Sequence, residues 1–282
     1  MSQLFQALSN NEKTAWQARY LSFLQERDGI PNLAERSFDV REGFFSDIDQ
    51  RPIRWQGKPL INKEVFQKNL VQQQPEAGLD TAMLWALTVA KVNRSERFGI
   101  EYSLDRRKPA VGDLTDPYLY AGIEEMYHTR ILRDVVELFG LEMQMTPPPF
   151  MTRYLIQAMS VLPKSLANIL VLNAEIGGVV VFHKLLQTGE ALLSSQPQVW
   201  ERAKALFTQI LTDEIGHVYF VQSTLDASRL ALAKRLLPTM MSKMMEDLPE
   251  ACQLFGKENL VKEISTFEIE ALAEEFAPRL RQ

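Results

Sequence analysis

Two of the three histidines in this chain follow a glutamate by three residues, and this spacing constrains the fold more than any other feature. The two motifs are Glu125-Met-Tyr-His128 and Glu214-Ile-Gly-His217. Residues three apart share a face of a helix, so each motif directs one carboxylate and one imidazole to the same point. The motifs therefore predict two helices that meet at one polar site.

The periodicity of the apolar residues predicts an all-α fold. A spacing of 3.6 residues recurs from about residue 79 to the end, and no strand-like alternation persists. Capping residues, prolines and glycines delimit four long helices, at Leu79 to Ser103, Pro117 to Gly140, Pro163 to Gly189 and Pro197 to Asp226. Three prolines and a short amphipathic helix separate the second from the third, which predicts one long crossover.

The domain organisation follows from these helices. Residues 79–226 form the predicted four-helix unit, because the motifs within it must converge. Residues 1–78 are less regular, with one helix around Glu12 to Gln25, and we expect them to pack on the bundle as an extension. Residues 227–282 predict two or three further helices of the same domain, broken at Pro238 and Pro249.

Two single glutamates complete the candidate site. Glu175 lies on a strongly apolar helix, with Leu172 and Val179 one turn away, so it points into the core. On the first long helix Glu96 lies in line with apolar residues, whereas Glu101 follows two arginines and belongs to a solvated face. We therefore prefer Glu96. The third histidine, His183, lies two turns beyond Glu175 and is interpreted as a core or surface residue.

Buried carboxylates need compensating charge, which predicts metal ions. Burying four ionised carboxylates would cost several kcal/mol per ion, and two divalent cations would balance them. Carboxylate and imidazole ligands suit iron or manganese, and the single Cys252 excludes a thiolate site. No arginine accompanies the glutamates in helical register, which argues against a metal-free cluster. The predicted ligands of two iron ions, or of manganese, are Glu96, Glu125, His128, Glu175, Glu214 and His217.

The order Glu, Glu-x-x-His, Glu, Glu-x-x-His resembles that of the ferritin-like diiron-carboxylate superfamily, over about residues 80–226. The resemblance implies a ferritin-like four-helix bundle. Family members commonly carry an acid directly before each Glu-x-x-His motif, hydrogen-bonded to the histidine of the opposite motif. These positions are Glu124 and Asp213 here, so the resemblance implies the pairs Glu124–His217 and Asp213–His128.

The resemblance also implies activation of dioxygen, with several outcomes open. The first is an oxygenase or oxidase that uses a small organic substrate and an electron donor. The second is a ferroxidase or peroxidase of the ferritin or rubrerythrin kind, and the third is a non-enzymatic helical interaction protein. The extensions favour the first, because they would obstruct the outer surface of a storage cage.

Size and layout are similar to those of the p-aminobenzoate N-oxygenases, but that family has a further histidine ligand one turn before the last motif. Ile210 occupies this place here. N-oxygenation is therefore in doubt, and hydroxylation, desaturation and C–C cleavage are equally open.

Two residues are candidates for a substrate or dioxygen pocket. Gly178 follows Gly177 in the middle of the third long helix, where each glycine costs roughly 1 kcal/mol relative to alanine. Helical register places Gly178 near the metals. There it would leave room for dioxygen or substrate, with or without a π-bulge, or would serve close helix packing. Tyr118, two turns before Glu125, is either a redox or hydrogen-bonding neighbour or an ordinary packed tyrosine.

Charge and hydropathy bear on partners and location. The net charge is −5 and the basic residues are scattered, so we expect no nucleic-acid partner. The most apolar stretch, Ile169 to Phe182, is shorter than the roughly 20 residues of a membrane span, and the N-terminus does not look like a signal peptide. We expect a cytoplasmic protein without a membrane segment, and a homodimer stays open.

Overall fold

The computed structural model describes residues 3–28, 39–107, 117–143 and 146–280, and all regular structure in these ranges is helical. The predicted all-α class is therefore confirmed for the described residues. They form the helices α1 (Asn10–Asp28), α2 (Asp39–Gln50), α3 (Lys63–Val71), α4 (Thr81–Arg107), α5 (Pro117–Glu137), α6 (Phe150–Val161), α7 (Lys164–Leu193), α8 (Pro197–Ser223), α9 (Ala227–Glu246), α10 (Pro249–Phe255), α11 (Lys257–Ser265) and α12 (Ile269–Phe276).

The four long predicted helices are α4, α5, α7 and α8, and each packs against two of the others. Contacts join α4 to α5, α5 to α8, α8 to α7 and α7 to α4. Two hydrogen bonds connect α4 to its neighbours: Trp85 Nε1 donates to the carbonyl of Leu185, and Asn93 Nδ2 donates to that of Thr129, both at 2.8 Å. The four helices therefore enclose a common interior.

That interior is part of one continuous apolar core. Its members reach from Leu4 to Leu280, so the segments before and after the four helices contribute to it. Trp85 is at its centre and makes edge-on ring contacts with Phe139 and Phe207, each at a centroid distance of 5.9 Å. Each buried aromatic residue of this kind removes a large apolar area from water and so contributes strongly to stability.

Helix α7 is apolar on almost every side, which is typical of a helix surrounded by others. By length and composition alone it could cross a membrane, but 61% of its most apolar window is buried inside the protein. The core helix of a soluble protein has the same character. We therefore interpret α7 as a core helix, in agreement with the expectation from the sequence.

The N-terminal segment differs from the prediction. Its described residues hold three α-helices rather than one, since α2 and α3 follow α1. Helix α3 has a recognisable start, because the side chain of Asn62 accepts hydrogen bonds from the backbone N–H groups of Glu64 and Val65. The short length of α2 and α3 weakens their periodic signal, which explains why the sequence pattern missed them.

The C-terminal segment also differs. It forms four α-helices in the described range, and Pro238 lies inside α9 rather than breaking it. Pro238 and Lys234 are both exposed, so the carbonyl left without a partner one turn before the proline faces water. The neighbouring residues Leu237 and Met241 are buried, and their packing against the core stabilises the helix around the proline. The π-bulge considered for the third long helix is absent, since α7 is α-helical throughout.

A close helix contact at Gly189 of α7 yields a stability prediction. A Cβ atom there would lie 3.4 Å from both Trp85 Cζ2 and Trp200 Cζ3. We expect Gly189→Ala to be neutral or stabilising by up to about 1 kcal/mol, because alanine fits this contact and favours the helix. Gly189→Leu should destabilise by about 1–3 kcal/mol through overpacking. Urea unfolding measures both, and equal stability of the two variants would contradict this packing.

Candidate metal centre

The four long helices bring all six predicted ligand residues into one cluster. Their ligand atoms form two groups of four, and within each group all atoms lie within 4.8 Å of one another. The first group is Glu96, Glu125, His128 and Glu214, and the second is Glu125, Glu175, Glu214 and His217. These groups could hold metal ions.

The two groups share Glu125 and Glu214, the glutamates of the two Glu-x-x-His motifs. Each group adds one histidine and one single glutamate of its own. A carboxylate has two oxygens and can bind one cation with each. The shared pair could therefore serve two neighbouring cation sites, and each site would add one histidine and one single glutamate of its own.

Both imidazoles direct Nδ1 into the cluster and Nε2 away from it. His128 Nδ1 lies 3.4 Å from both Glu125 Oε2 and Glu214 Oε1, and His217 Nδ1 lies 3.1 Å from Glu125 Oε1. Both Nδ1 atoms are buried and make no hydrogen bond within the described part of the chain. An inward-directed nitrogen of this kind is the expected donor atom for a metal ion.

The outer nitrogens contact the two acids that the resemblance implies. His128 Nε2 lies 3.1 Å from Asp213 Oδ2, and His217 Nε2 lies 2.9 Å from Glu124 Oε2. Carboxylates accept hydrogen bonds, so we assign the proton of each neutral imidazole to Nε2. Each acid then fixes the ring orientation and leaves the lone pair of Nδ1 directed into the cluster.

The sequence did not predict that two arginines would reach these acids from outside the four helices. Arg41 of α2, only 2% exposed, donates from Nη1 to Asp213 Oδ2 at 2.9 Å and from Nη2 to Asp213 Oδ1 at 3.0 Å. Its Nη2 also lies 3.4 Å from Glu124 Oε1. Arg27 of α1 donates from Nε to Asp213 Oδ1 at 2.6 Å. The absence of an arginine in helical register with the ligands did not reveal these two residues, which come from other helices and pair with the outer acids.

A cavity of about 700 Å³ adjoins the cluster. Glu96, Glu125, Glu175 and Glu214 all line it, and the side chains of Glu125 and Glu175 keep 20% and 17% exposure. The histidine side chains are at most 2% exposed. The cluster is therefore open on the side of the carboxylates, whereas the histidines are almost fully buried and only His217 borders the cavity.

Gly178 lines this cavity and also lies against the cluster. A Cβ atom at Gly178 would be 3.4 Å from Glu214 Oε2, whereas one at Gly177 would be 2.7 Å from Met241 Sδ. Because Gly178 has no side chain, the carboxylate of Glu214 fits beside α7. Because Gly177 has none either, Met241 of α9 fits against the same helix. Use of the space at Gly178 by dioxygen or substrate stays a prediction.

Four further residues entered the sequence-based prediction: Glu101, Tyr118, His183 and Ile210. The side chains of Glu101 and Tyr118 are outside the described residues. His183 is outside the cluster, and its ring packs edge-on against Phe276. Ile210, at the place of the extra histidine ligand of the N-oxygenases, is an apolar core residue with no exposure.

Three residues near the cluster escaped the sequence interpretation: Arg27, Arg41 and Tyr20. Tyr20 is 1% exposed, stacks on Phe220 at 5.0 Å, and its hydroxyl has no hydrogen-bond partner among the described residues. Burial, together with the charge of Glu124, raises the pKa of Tyr20 well above its usual value. Arg41 precedes Phe45 and Ile48 at helical spacing, a signal that would have placed it on the inner face of a helix.

The protonation of the metal-free cluster follows from its crowding. Burial, followed by the charge of Glu125, raises the pKa of Glu96 well above its usual value, and burial with the charge of Glu175 does the same for Glu214. Burial lowers the pKa of His128, but the charge of Glu125 and the contact with Asp213 outweigh it, so the net shift is upward. These groups hold protons that a metal ion has to displace.

Proton displacement gives the first prediction for this centre. The metal-free protein binds more protons than the complex, so metal binding releases protons and its affinity increases as pH rises. We expect about a tenfold gain in affinity per pH unit for each proton released. Calorimetric titration with Mn²⁺ in buffers of different ionisation enthalpy measures the number of protons. A pH-independent affinity would contradict the protonation described above.

The second prediction concerns Arg41. Arg41→Met leaves Glu124 and Asp213 short of positive charge inside the protein, so we expect a loss of about 3–5 kcal/mol in the free energy of unfolding. Metal affinity should fall about 10- to 100-fold, because the acids no longer hold the histidines in place. Arg51→Met removes an exposed arginine of the same segment and is the control. Equal effects of the two substitutions would overturn the role of Arg41.

Comparison with known proteins does not extend this description. No family model, no curated protein and no solved structure matches the chain. Metal binding at this centre is therefore inferred from its own geometry. The two overlapping groups, their inward-directed nitrogens and their buried acids fit a pair of divalent cations.

Proposed function

We propose that α4, α5, α7 and α8 form a ferritin-like bundle around two iron ions, and that the protein is a dioxygen-dependent oxygenase or oxidase of a small organic substrate. One observation carries this proposal. Two carboxylate–histidine groups share two glutamates and open onto a cavity large enough for an organic molecule. Ligand sites commonly have volumes of about 300–1,000 Å³, and this cavity lies within that range.

The ligand chemistry supports iron. Mixed carboxylate and imidazole donors suit iron and manganese, and the one cysteine, Cys252, lies outside both groups. Reduced iron ions, when bound, supply the electrons that activate dioxygen. An external electron donor is then needed to restore the reduced state.

The chain itself would contribute position and dryness. Glu124 and Asp213 hold the histidines, and the two arginines neutralise these acids. The cavity wall also carries the apolar side chains of Ile156, Met240 and Met244, which would displace water once a substrate fills the cavity. A dry, preorganised site favours oxidation of the substrate over loss of oxidising power to solvent.

The cavity also separates this proposal from the ferroxidase alternative. An iron-oxidising site needs a path along which hydrated cations can travel, and such a path is lined by polar groups. Here α6 and α9 turn apolar side chains such as Leu155, Met159 and Met241 toward the cavity. An apolar wall favours an organic substrate over ferrous iron.

Metal and oxygen measurements test the proposal. We expect the protein, reconstituted anaerobically with ferrous iron, to bind about two ions per chain. His128→Ala or His217→Ala should each lose at least one, because each cation has a single imidazole. His183→Ala is the matched control and should retain both ions, since His183 lies outside the cluster. Elemental analysis and the optical spectrum record the result.

Oxygen uptake distinguishes the candidate functions. The reduced protein should consume dioxygen once per site and should not turn over an excess of ferrous iron. Sustained oxidation of excess ferrous iron would favour the ferroxidase. Full iron occupancy in both histidine variants would reject the site, and bound iron that is inert to dioxygen would reject the oxygenase.

A further inference from the structure

The cavity beside the metal centre has far more room than dioxygen requires. Its volume is about 700 Å³, and its wall on α7 runs from Glu175 at the cluster to Lys164. These two residues are eleven positions apart, which corresponds to about 16 Å along the helix axis. Leu162 and Lys164 line the cavity and are exposed, so the cavity reaches the surface at the corner between α6 and α7.

The wall between these two ends is mainly apolar. Helix α6 contributes Leu155, Ile156 and Met159, and α9 contributes four methionines. Methionine side chains are flexible and adapt to apolar ligands of irregular shape. The wall therefore suits a ligand with an apolar body.

No charged side chain of the described lining is left to pair with a charged ligand. The four glutamates and His217 belong to the metal cluster, where bound cations would balance the carboxylates. Lys164 lies at the surface and already interacts with another group of the protein. A charged ligand inside the cavity would therefore lose its hydration without a compensating partner. The lining selects against anions and cations alike.

The lining also contains four uncharged polar side chains, and three of them already use a donor group within the protein. The bonds run from Thr152 Oγ1 to Asp247 Oδ2 at 2.7 Å, from Asn168 Nδ2 to Thr224 Oγ1 at 2.8 Å, and from Ser160 Oγ to the carbonyl of Gln157 at 2.8 Å. These three residues are therefore poorly placed to donate to a ligand.

The fourth uncharged polar residue is Ser95. It lies on α4 directly before Glu96, and it lines the cavity together with Val92 and Gly99 at helical spacing. The Ser95 hydroxyl makes no hydrogen bond to any part of the chain that the structure describes. Thr88, two turns earlier on α4, instead donates to the carbonyl of its own helix one turn back, at 2.8 Å. The Ser95 hydroxyl can therefore donate into the cavity.

We infer that the substrate is an uncharged, largely apolar molecule with one oxygen function, a hydroxyl or a carbonyl, and that the Ser95 hydroxyl donates a hydrogen bond to this oxygen. Because Ser95 precedes Glu96 on α4, the oxygen function lies at the metal end of the cavity and the apolar body extends toward the surface. The carbon atoms next to the oxygen are then those presented to the metal centre. This inference rests on the proposed function, because it names the substrate class of that same cavity.

A set of matched ligands tests the absence of charge. 3-Phenylpropan-1-ol, butylbenzene, 3-phenylpropylamine and 4-phenylbutanoate share a phenylpropyl body and differ at one end. Each is titrated calorimetrically into the iron-loaded protein under anaerobic conditions. We expect the amine and the acid to bind at least about tenfold more weakly than the alcohol, because each charge loses its hydration in the cavity. An amine or an acid that binds as tightly as the alcohol would overturn the uncharged class.

A pair of serine variants tests the hydrogen bond. Ser95→Ala should weaken the binding of 3-phenylpropan-1-ol about 2- to 10-fold and should leave butylbenzene unchanged, because only the alcohol loses a partner. Ser160→Ala is the matched control, since it removes a hydroxyl of the same cavity that already donates to the carbonyl of Gln157. It should not change the affinity of the alcohol relative to that of butylbenzene.

The outcomes separate this inference from the proposed function. Failure to bind iron, or bound iron that is inert to dioxygen, would reject the proposed function. Iron binding and oxygen uptake, combined with an equal effect of Ser95→Ala on the alcohol and on butylbenzene, would overturn the contact at Ser95 and leave the proposed function intact. A larger loss of alcohol binding in Ser160→Ala than in Ser95→Ala would place the oxygen function at the surface end and contradict the orientation.

Discussion

Arg41 makes the buried contact on which the rest of this site depends. It pairs with Asp213 and Glu124, and these two acids hold His128 and His217. Six acidic side chains surround the centre and would carry six negative charges if all were ionised. Two guanidinium groups and two divalent cations would together supply six positive charges. Buried charges are tolerated only when paired. The interior is therefore electrically balanced only with the N-terminal helices docked and with either protons or metal ions held by the inner ligand residues.

The two sides of the cluster differ in how far they are exposed, and this difference matters for its chemistry. The imidazoles and their acids are almost fully buried, and packing and hydrogen bonds fix their orientation. Glu125 and Glu175 lie on the open side, next to the long apolar cavity. One side of the centre thus provides rigidity while the other provides access. The two single glutamates come from α4 and α7, which line the cavity together with α5, α6, α8 and α9.

Helical periodicity was sufficient to predict the all-α class and the set of residues that the structure brings together. The choice of Glu96 depended only on its apolar neighbours along one helix, which is local information. Arg41 was not predicted, because its partners Glu124 and Asp213 lie far away in sequence and α2 is short. Pro238 was taken as a break, since the sequence does not reveal that its unpaired carbonyl faces water. Local patterns thus identify what a helix buries, but not which distant segment covers it.

The sequence separations of these contacts have a consequence for folding. Helices α4 and α5 are neighbours in the chain, as are α7 and α8, so each pair can form early from contacts of modest separation. The contact of Arg41 with Asp213 spans 172 residues, and that with Glu124 spans 83. Closing such loops carries a larger entropy cost and comes late. We expect the helical pairs to assemble first with their acids still hydrated, and the centre to mature in a final step when α2 docks and expels that water.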